Sequence, residues 1–77
     1  MTTAEKITQA IQGAIPDALI NVTPGDPGHY ALHVRSEVFR GKSMVDSHRL
    51  VLAAIAPLMA GNNAPVHAVD RLRTEAP

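Results

Sequence analysis

The chain begins with apolar residues at helical spacing. Thr2 and Glu5 have the spacing of a capping box, in which each side chain bonds the backbone of the other residue. Apolar residues then recur every three to four positions, which is the period of an α-helix, at Ile7, Ile11, Ala14 and Ile15. A proline follows at residue 16 and cannot continue a helix. The pattern predicts a first helix over residues 3–15.

Two β-strands are predicted next. Residues 18–22 are apolar and rich in β-branched side chains, which is typical of a strand. Residues 30–35 alternate between apolar and polar side chains, which is the period of a half-buried strand. Residues 23–28 lie between them and contain two prolines and two glycines, which indicates a loop. We therefore expect an antiparallel hairpin with a long connection.

A second helix is predicted over residues 44–56. Val38 and Phe39 precede it and are expected to be core anchors, and Ser43 with Asp46 resembles another capping box. Helical spacing predicts one apolar face, which consists of Val45, His48, Leu52, Ile55 and Met59 and is flanked by Val51 and Leu58.

The end of the chain predicts a helix break and a last strand. Pro57 is disfavoured inside a helix, so we expect a break there, with a separate short turn over residues 58–60. Residues 66–74 are expected to form a third strand, although Asp70 interrupts its apolar pattern. The predicted order is α-β-β-α-α-β.

Composition limits the chain to one small domain over residues 1–77. The aromatic fraction is only 3%, so Tyr30 and Phe39 are expected to be the largest core side chains. The absence of cysteine excludes disulfides and thiol catalysis, and favours a reducing, cytoplasmic location. We see neither a signal-peptide pattern nor an apolar run long enough to span a membrane.

Nothing in the sequence points to an enzyme. The nucleophile elbow and the phosphate-binding Walker loop are both missing. Ser43 and Ser47 are near His48 in sequence, but a helix cap and a helix surface explain the two hydroxyls. The net charge is zero, which argues against general affinity for nucleic acids.

Three short motifs together resemble the BolA family. They are F-R-G-K-S at residues 39–43, S-H-R-L-V at residues 47–51 and V-H-A-V at residues 66–69. The resemblance covers nearly the whole chain. It implies a class II KH-like α+β fold of order αββααβ, with a three-stranded mixed sheet and the helices on one face. Members commonly end in a tryptophan-bearing helix, which is expected to be short or absent in this sequence.

The resemblance also implies an adaptor role in iron homeostasis. BolA proteins bind monothiol glutaredoxins and share a [2Fe-2S] cluster that glutathione helps to hold, and the BolA protein supplies a histidine or, in some members, a cysteine. His67 matches the family's cluster ligand. The family places a variable second ligand near the loop between the first two strands. In this sequence that ligand would be His29, Asp26 or neither. The isolated chain is expected to bind no cluster and to be a monomer or weak homodimer.

The other histidines are expected to have structural roles. His33 lies four residues after His29, and that separation along a strand spans about 13 Å. One metal ion cannot be bound by both side chains over that distance. We expect His33 to face solvent and His48 to lie at the boundary of the core.

The alternative function is a DNA-binding transcriptional regulator that uses the KH-like fold. The segment from residue 35 to residue 49 has four basic and two acidic residues, and its bases are Arg35, Arg40, Lys42 and Arg49. KH domains clamp nucleic acid with a GXXG loop, and the chain has no such loop. Any DNA binding is therefore expected to be weak and sensitive to salt.

Overall fold

The computed structural model describes residues 1–77 and contains two helices and three strands. Their bounds are α1 (Thr3–Ala14), β1 (Leu19–Pro24), β2 (His29–Arg35), α2 (Met44–Met59) and β3 (Ala68–Glu75). A single 3₁₀ turn, Glu37–Phe39, connects β2 to α2. The predicted α+β class is confirmed. No helix is long and apolar enough to cross a membrane.

The strands form one mixed sheet in the order β1-β2-β3. β1 and β2 pair antiparallel, and β3 pairs parallel to β2. A parallel neighbour needs a crossover connection, and α2 supplies it. The prediction of a mixed sheet with β3 paired to the hairpin is confirmed.

Both helices cover the same face of the sheet. Leu32 and Val34 are two residues apart on β2, so their side chains point to one face, and both are buried. They share the core with side chains of both helices, namely Ile7, Ile11, Val51 and Ile55. The other face of the sheet has no helix against it.

The first helix begins and ends where the sequence predicts. The backbone N–H groups of Thr2 and Glu5 each donate to the other residue's side chain over 3.1 Å, which completes the capping box. The helix ends at Ala14, and the N–H of Ile15 closes its last turn by donating to Ile11.

The predicted break at Pro57 is wrong. α2 continues through Pro57 to Met59, so one helix replaces the two that were predicted between β2 and β3. Pro57 lies in the last turn and is exposed. The carbonyl of Ala53, which the missing N–H would have bonded, belongs to an exposed residue and can be hydrated instead.

The buried face of α2 also differs from the predicted stripe. Ile55 is buried as predicted, but Val45 and Leu52 are exposed, and the helix instead buries Ser47 and the flanking Val51. Ser47 was expected on the helix surface, but its hydroxyl donates to the Ser43 carbonyl over 3.0 Å and is satisfied inside the helix. A small, internally bonded side chain lets the helix approach the core at this point.

Of the two residues expected to anchor the core before α2, only Phe39 is buried. Its ring is 5% exposed, whereas Val38 is 41% exposed. The 3₁₀ turn points neighbouring side chains in different directions, so only one of the pair reaches the core. Buried Ser36 caps this turn, since its hydroxyl donates to the Asp17 carboxylate over 2.6 Å and accepts from the N–H of Val38.

Phe39→Ala is expected to lower the free energy of unfolding by about 3–5 kcal/mol, because it removes a buried ring from a close-packed core. Urea unfolding of the two proteins measures the difference. Val38→Ala is the matched control and should have a much smaller effect, since that side chain is partly in water. A loss below about 1 kcal/mol for Phe39→Ala would contradict the burial of the ring.

Candidate functional site

Only residues 25–28 connect β1 to β2, and in place of the long loop that was predicted the chain makes a tight turn over residues 26–29. The N–H of His29 donates to the carbonyl of Asp26 over 2.8 Å, which closes a four-residue turn. Pro27 and Gly28 occupy its centre, and Gly28 has φ +80°. Proline followed by a residue with positive φ is typical of a type II turn. The turn holds Asp26 and His29 at its two ends.

Gly28 also touches the segment that leads into β3. Its carbonyl accepts from the N–H of His67 over 2.8 Å and from the N–H of Ala68 over 3.2 Å. A Cβ on Gly28 would lie 2.7 Å from Cγ of His67, so the imidazole packs directly over the glycine backbone. The turn and His67 are therefore neighbours, although Gly28 and His67 are 39 positions apart in the sequence.

His67 lies one residue before β3 and is exposed. Its backbone is fixed by the bond to Gly28, while its ring makes no hydrogen bond within the protein. The preceding residue, Val66, is almost completely buried at 1% exposure. The backbone is thus anchored on the core side, and the imidazole is presented to solvent.

His29 opens β2 and pairs in register with Ala68, the residue after His67. Its Nδ1 lies 2.9 Å from Oδ1 of Asp70. The register between β2 and β3 shifts at this point, because Tyr30 pairs with Val69 and Ala31 pairs with Arg71. Asp70 is thus the extra residue of a bulge, a device that redirects a side chain.

The Asp70 carboxylate controls the electrostatics of His29. The hydrogen bond that His29 donates to Asp70 raises the pKa of His29 above its ordinary value, and the negative charges of Asp70 and Asp26 add to this effect. Desolvation lowers the pKa and opposes them. Asp26 is exposed, and its own side chain makes no hydrogen bond.

The structure thus brings the three predicted ligand residues, His67, His29 and Asp26, to one end of the sheet. No group of three or more histidine, aspartate or glutamate side chains is close enough to hold a metal ion. The three side chains therefore do not form a closed metal site within the chain.

The remaining two histidines lie elsewhere. His33 lies on the uncovered face of the sheet, as expected, since its neighbours Leu32 and Val34 face the core, and its Nε2 bonds the carboxylate of Glu75. That bond lowers the pKa of Glu75. His48 has intermediate exposure, as expected for a boundary residue, and lines a groove that also includes Phe39 and Thr74.

Two of the four basic residues of the DNA hypothesis form ion pairs with acidic side chains, Arg40 with Glu37 and Arg49 with Asp46. Arg40 forms two hydrogen bonds to the carboxylate of Glu37. Arg49 lies 3.8 Å from Asp46, and together with Lys42 the two line one shallow depression. Arg35 ends β2 and pairs in register with Glu75.

A family model described as a BolA-like protein matches residues 8–77. This chain belongs to the BolA family. An uncharacterized protein of Rickettsia prowazekii is 29% identical over 69 residues, which are 87% of this chain and 86% of the relative. A BolA homologue from Coxiella burnetii has a TM-score of 0.78 with 28% identity, covering 100% of this chain and 94% of that one.

The BolA fold is shared with plant members as well. BolA1 from Arabidopsis thaliana has a TM-score of 0.80 over 100% of this chain and 94% of its own, with only 18% identity. At that identity the likeness concerns the fold alone. The resemblance that the three sequence motifs suggested is therefore confirmed at the level of family and fold.

Two residues of the site were missed by sequence reasoning. Gly28 was treated as part of a loop, although a Pro-Gly pair is itself a type II turn signal. Asp70 was treated as an imperfection of the last strand. The signal in the sequence was the spacing of apolar residues. Val69 and Leu72 are three residues apart, which breaks the period of two of a regular strand, yet both pack against the core of this BolA domain.

Gly28→Ala is expected to destabilise the domain more than Gly41→Ala. Both glycines have positive φ, so each substitution has a left-handed backbone cost of about 1–2 kcal/mol. Only the methyl group at residue 28 would collide with His67, because nothing lies within 4 Å of a Cβ on Gly41. Thermal unfolding of both variants measures the difference. The excess cost should shrink in a His67→Ala background, and an equal cost at both glycines would contradict the contact.

The His29–Asp70 pair predicts a pH dependence. Because the folded pKa of His29 is raised, the pair stabilises the fold fully below the unfolded histidine pKa of about 6.5, and this contribution is lost as the pH rises through the folded pKa. Titration by NMR should show the His29 pKa falling in Asp70→Asn. The stability difference between the two proteins should diminish at alkaline pH, and an unchanged His29 pKa in the variant would refute the assignment.

Proposed function

We propose that this BolA domain is a non-enzymatic adaptor that binds a monothiol glutaredoxin and contributes His67 to a shared [2Fe-2S] cluster, in iron homeostasis. The observation that supports this most directly is the presentation of His67. Its backbone is tied to the sheet and the turn, and its imidazole is exposed and free of hydrogen bonds within the protein. A ligand for a cluster held between two proteins needs this combination of a fixed backbone and an open ring.

The donor atoms at this end of the sheet suit an iron site. Imidazole nitrogen ligates iron in clusters that replace two cysteines by histidines, and carboxylate oxygens are also metal ligands. A [2Fe-2S] cluster requires four ligands. This chain has no cysteine and offers at most His67 with His29 or Asp26, so the remaining ligands have to come from a partner with thiolates.

The residues of this chain would have different roles in binding the cluster. His67 would provide one imidazole nitrogen to iron. The turn would provide the second contact, through either His29 or Asp26, because both lie at its ends. Gly28 would keep the two contacts adjacent, since its missing side chain lets the turn lie against the His67 ring. The cluster itself would supply a metal centre whose potential depends on the ratio of imidazole to thiolate ligands.

The test is to prepare the complex with the host's monothiol glutaredoxin and glutathione, and to record its visible absorption and circular dichroism. The wild-type complex should differ from the cluster of the glutaredoxin alone, which only thiolates hold. His67→Ala should abolish this difference, while the circular dichroism of the free domain in the far ultraviolet remains that of a folded protein.

His33→Ala is the matched control, because His33 is also a histidine of the sheet but is bonded to Glu75 away from the turn. It should leave the mixed-ligand spectrum intact. His29→Ala and Asp26→Ala are measured beside it. The substitution that alters the spectrum identifies the residue that makes the second contact. A mixed-ligand spectrum that persists in His67→Ala, or a free domain that this substitution unfolds, would refute the role of His67.

A further inference from the structure

A residue of the β3 bulge, Asp70, makes a side-chain contact with His29 on the neighbouring strand. Asp70 is the extra residue of the β3 bulge, and its carboxylate reaches Nδ1 of His29 across 2.9 Å. Both side chains are substantially exposed, at 38% for His29 and 53% for Asp70. Exposed ion pairs contribute little to stability. The small stability that such an ion pair adds is therefore a weak explanation for the contact between these two side chains.

The contact determines which nitrogen of His29 is available. An ionised carboxylate only accepts hydrogen bonds, so the proton lies on Nδ1. In the neutral ring, Nε2 is then the nitrogen with a free lone pair, and it has no hydrogen-bond partner in the protein. A carboxylate that accepts from the far nitrogen is the usual support behind a metal-ligating histidine, because it fixes both the tautomer and the ring orientation.

Asp26 has no comparable support. Its side chain is exposed and makes no hydrogen bond, and only its backbone carbonyl is used, in the turn. A carboxylate with no partner has to be ordered when it binds a metal, whereas the ring of His29 is already oriented. The geometry thus distinguishes two residues that the sequence leaves equivalent.

We propose that Asp70 is a positioning residue, which holds His29 in the tautomer whose Nε2 can bind iron and thereby makes His29, not Asp26, the second ligand from this chain. This inference rests on the proposed function, because it concerns the same shared cluster. It goes beyond that function by assigning a role to a residue that contacts neither the metal nor the partner's thiolates.

The first experiment uses the free domain and needs no cluster. Nitrogen-15 NMR at alkaline pH, where the imidazole is neutral, should show the proton of His29 on Nδ1. Asp70→Ala should move the population towards the Nε2–H tautomer. Asp70→Asn should retain the Nδ1–H tautomer, since the amide oxygen still accepts a hydrogen bond. A tautomer that does not respond to Asp70→Ala would overturn the proposal.

The second experiment uses the complex with glutaredoxin and glutathione. Asp70→Ala should weaken retention of the mixed-ligand cluster by about 10–100-fold, which is the usual effect of losing such a carboxylate, and should alter its circular dichroism. Asp70→Asn should restore much of the retention. In a His29→Ala background, Asp70→Ala should have no further effect, because the residue acts only through that ring.

Glu75→Ala is the matched control. It removes the carboxylate from the other histidine–carboxylate pair between β2 and β3, at His33, and should leave retention of the cluster unchanged. Equal losses in Glu75→Ala and Asp70→Ala would overturn the proposal, as would a loss that persists in the His29→Ala background. If Asp70 substitutions change nothing while His67→Ala abolishes the mixed-ligand spectrum, this inference fails and the proposed function stands. A wild-type complex without a histidine-ligated cluster refutes both.

Discussion

The parallel pairing of β2 with β3 starts at one atom, the carbonyl oxygen of Gly28, and the arrangement of the site depends on it. This oxygen accepts from two consecutive N–H groups, those of His67 and Ala68, and so fixes the level at which β3 enters the sheet. A side chain at residue 28 would occupy the space of the His67 ring. Glycine therefore satisfies two constraints at once, because the turn needs a positive φ and the imidazole needs room.

The bulge at Asp70 follows from the way β3 is packed. Val69 and Leu72 both pack against the core although they are three residues apart, an odd spacing that a regular strand would send to opposite faces. The extra residue between the paired positions resolves the conflict. The same irregularity that keeps both apolar side chains on the core thus brings a carboxylate to His29. The bulge in β3 therefore determines both the packing of the strand on the core and the position of Asp70 beside His29.

Local sequence predicted the parts of this fold that depend on local chemistry. The α1 capping box, the alternation of β2 and the burial of Phe39 all follow from a few neighbouring residues. Predictions failed where two local rules compete. Pro57 is a helix breaker, but it lies in an exposed last turn, where the carbonyl that lost its partner is open to solvent. The contact of Asp70 with His29 joins residues 41 positions apart, so it depends on the strand register, which no local pattern contains.

The two histidines at the turn differ in their freedom, and this difference has a consequence for a shared site. The His67 ring is free of bonds, while the His29 ring is held by a carboxylate. No complete metal site exists on the chain alone. When a cluster takes ligands from two proteins, occupancy of that shared site and association of the two proteins are thermodynamically linked. Each would strengthen the other by the same factor. In the proposed half-site, the His29 ring that Asp70 orients would limit the loss of conformational entropy on assembly, and the His67 ring, which makes no hydrogen bond, would be available to the partner's cluster.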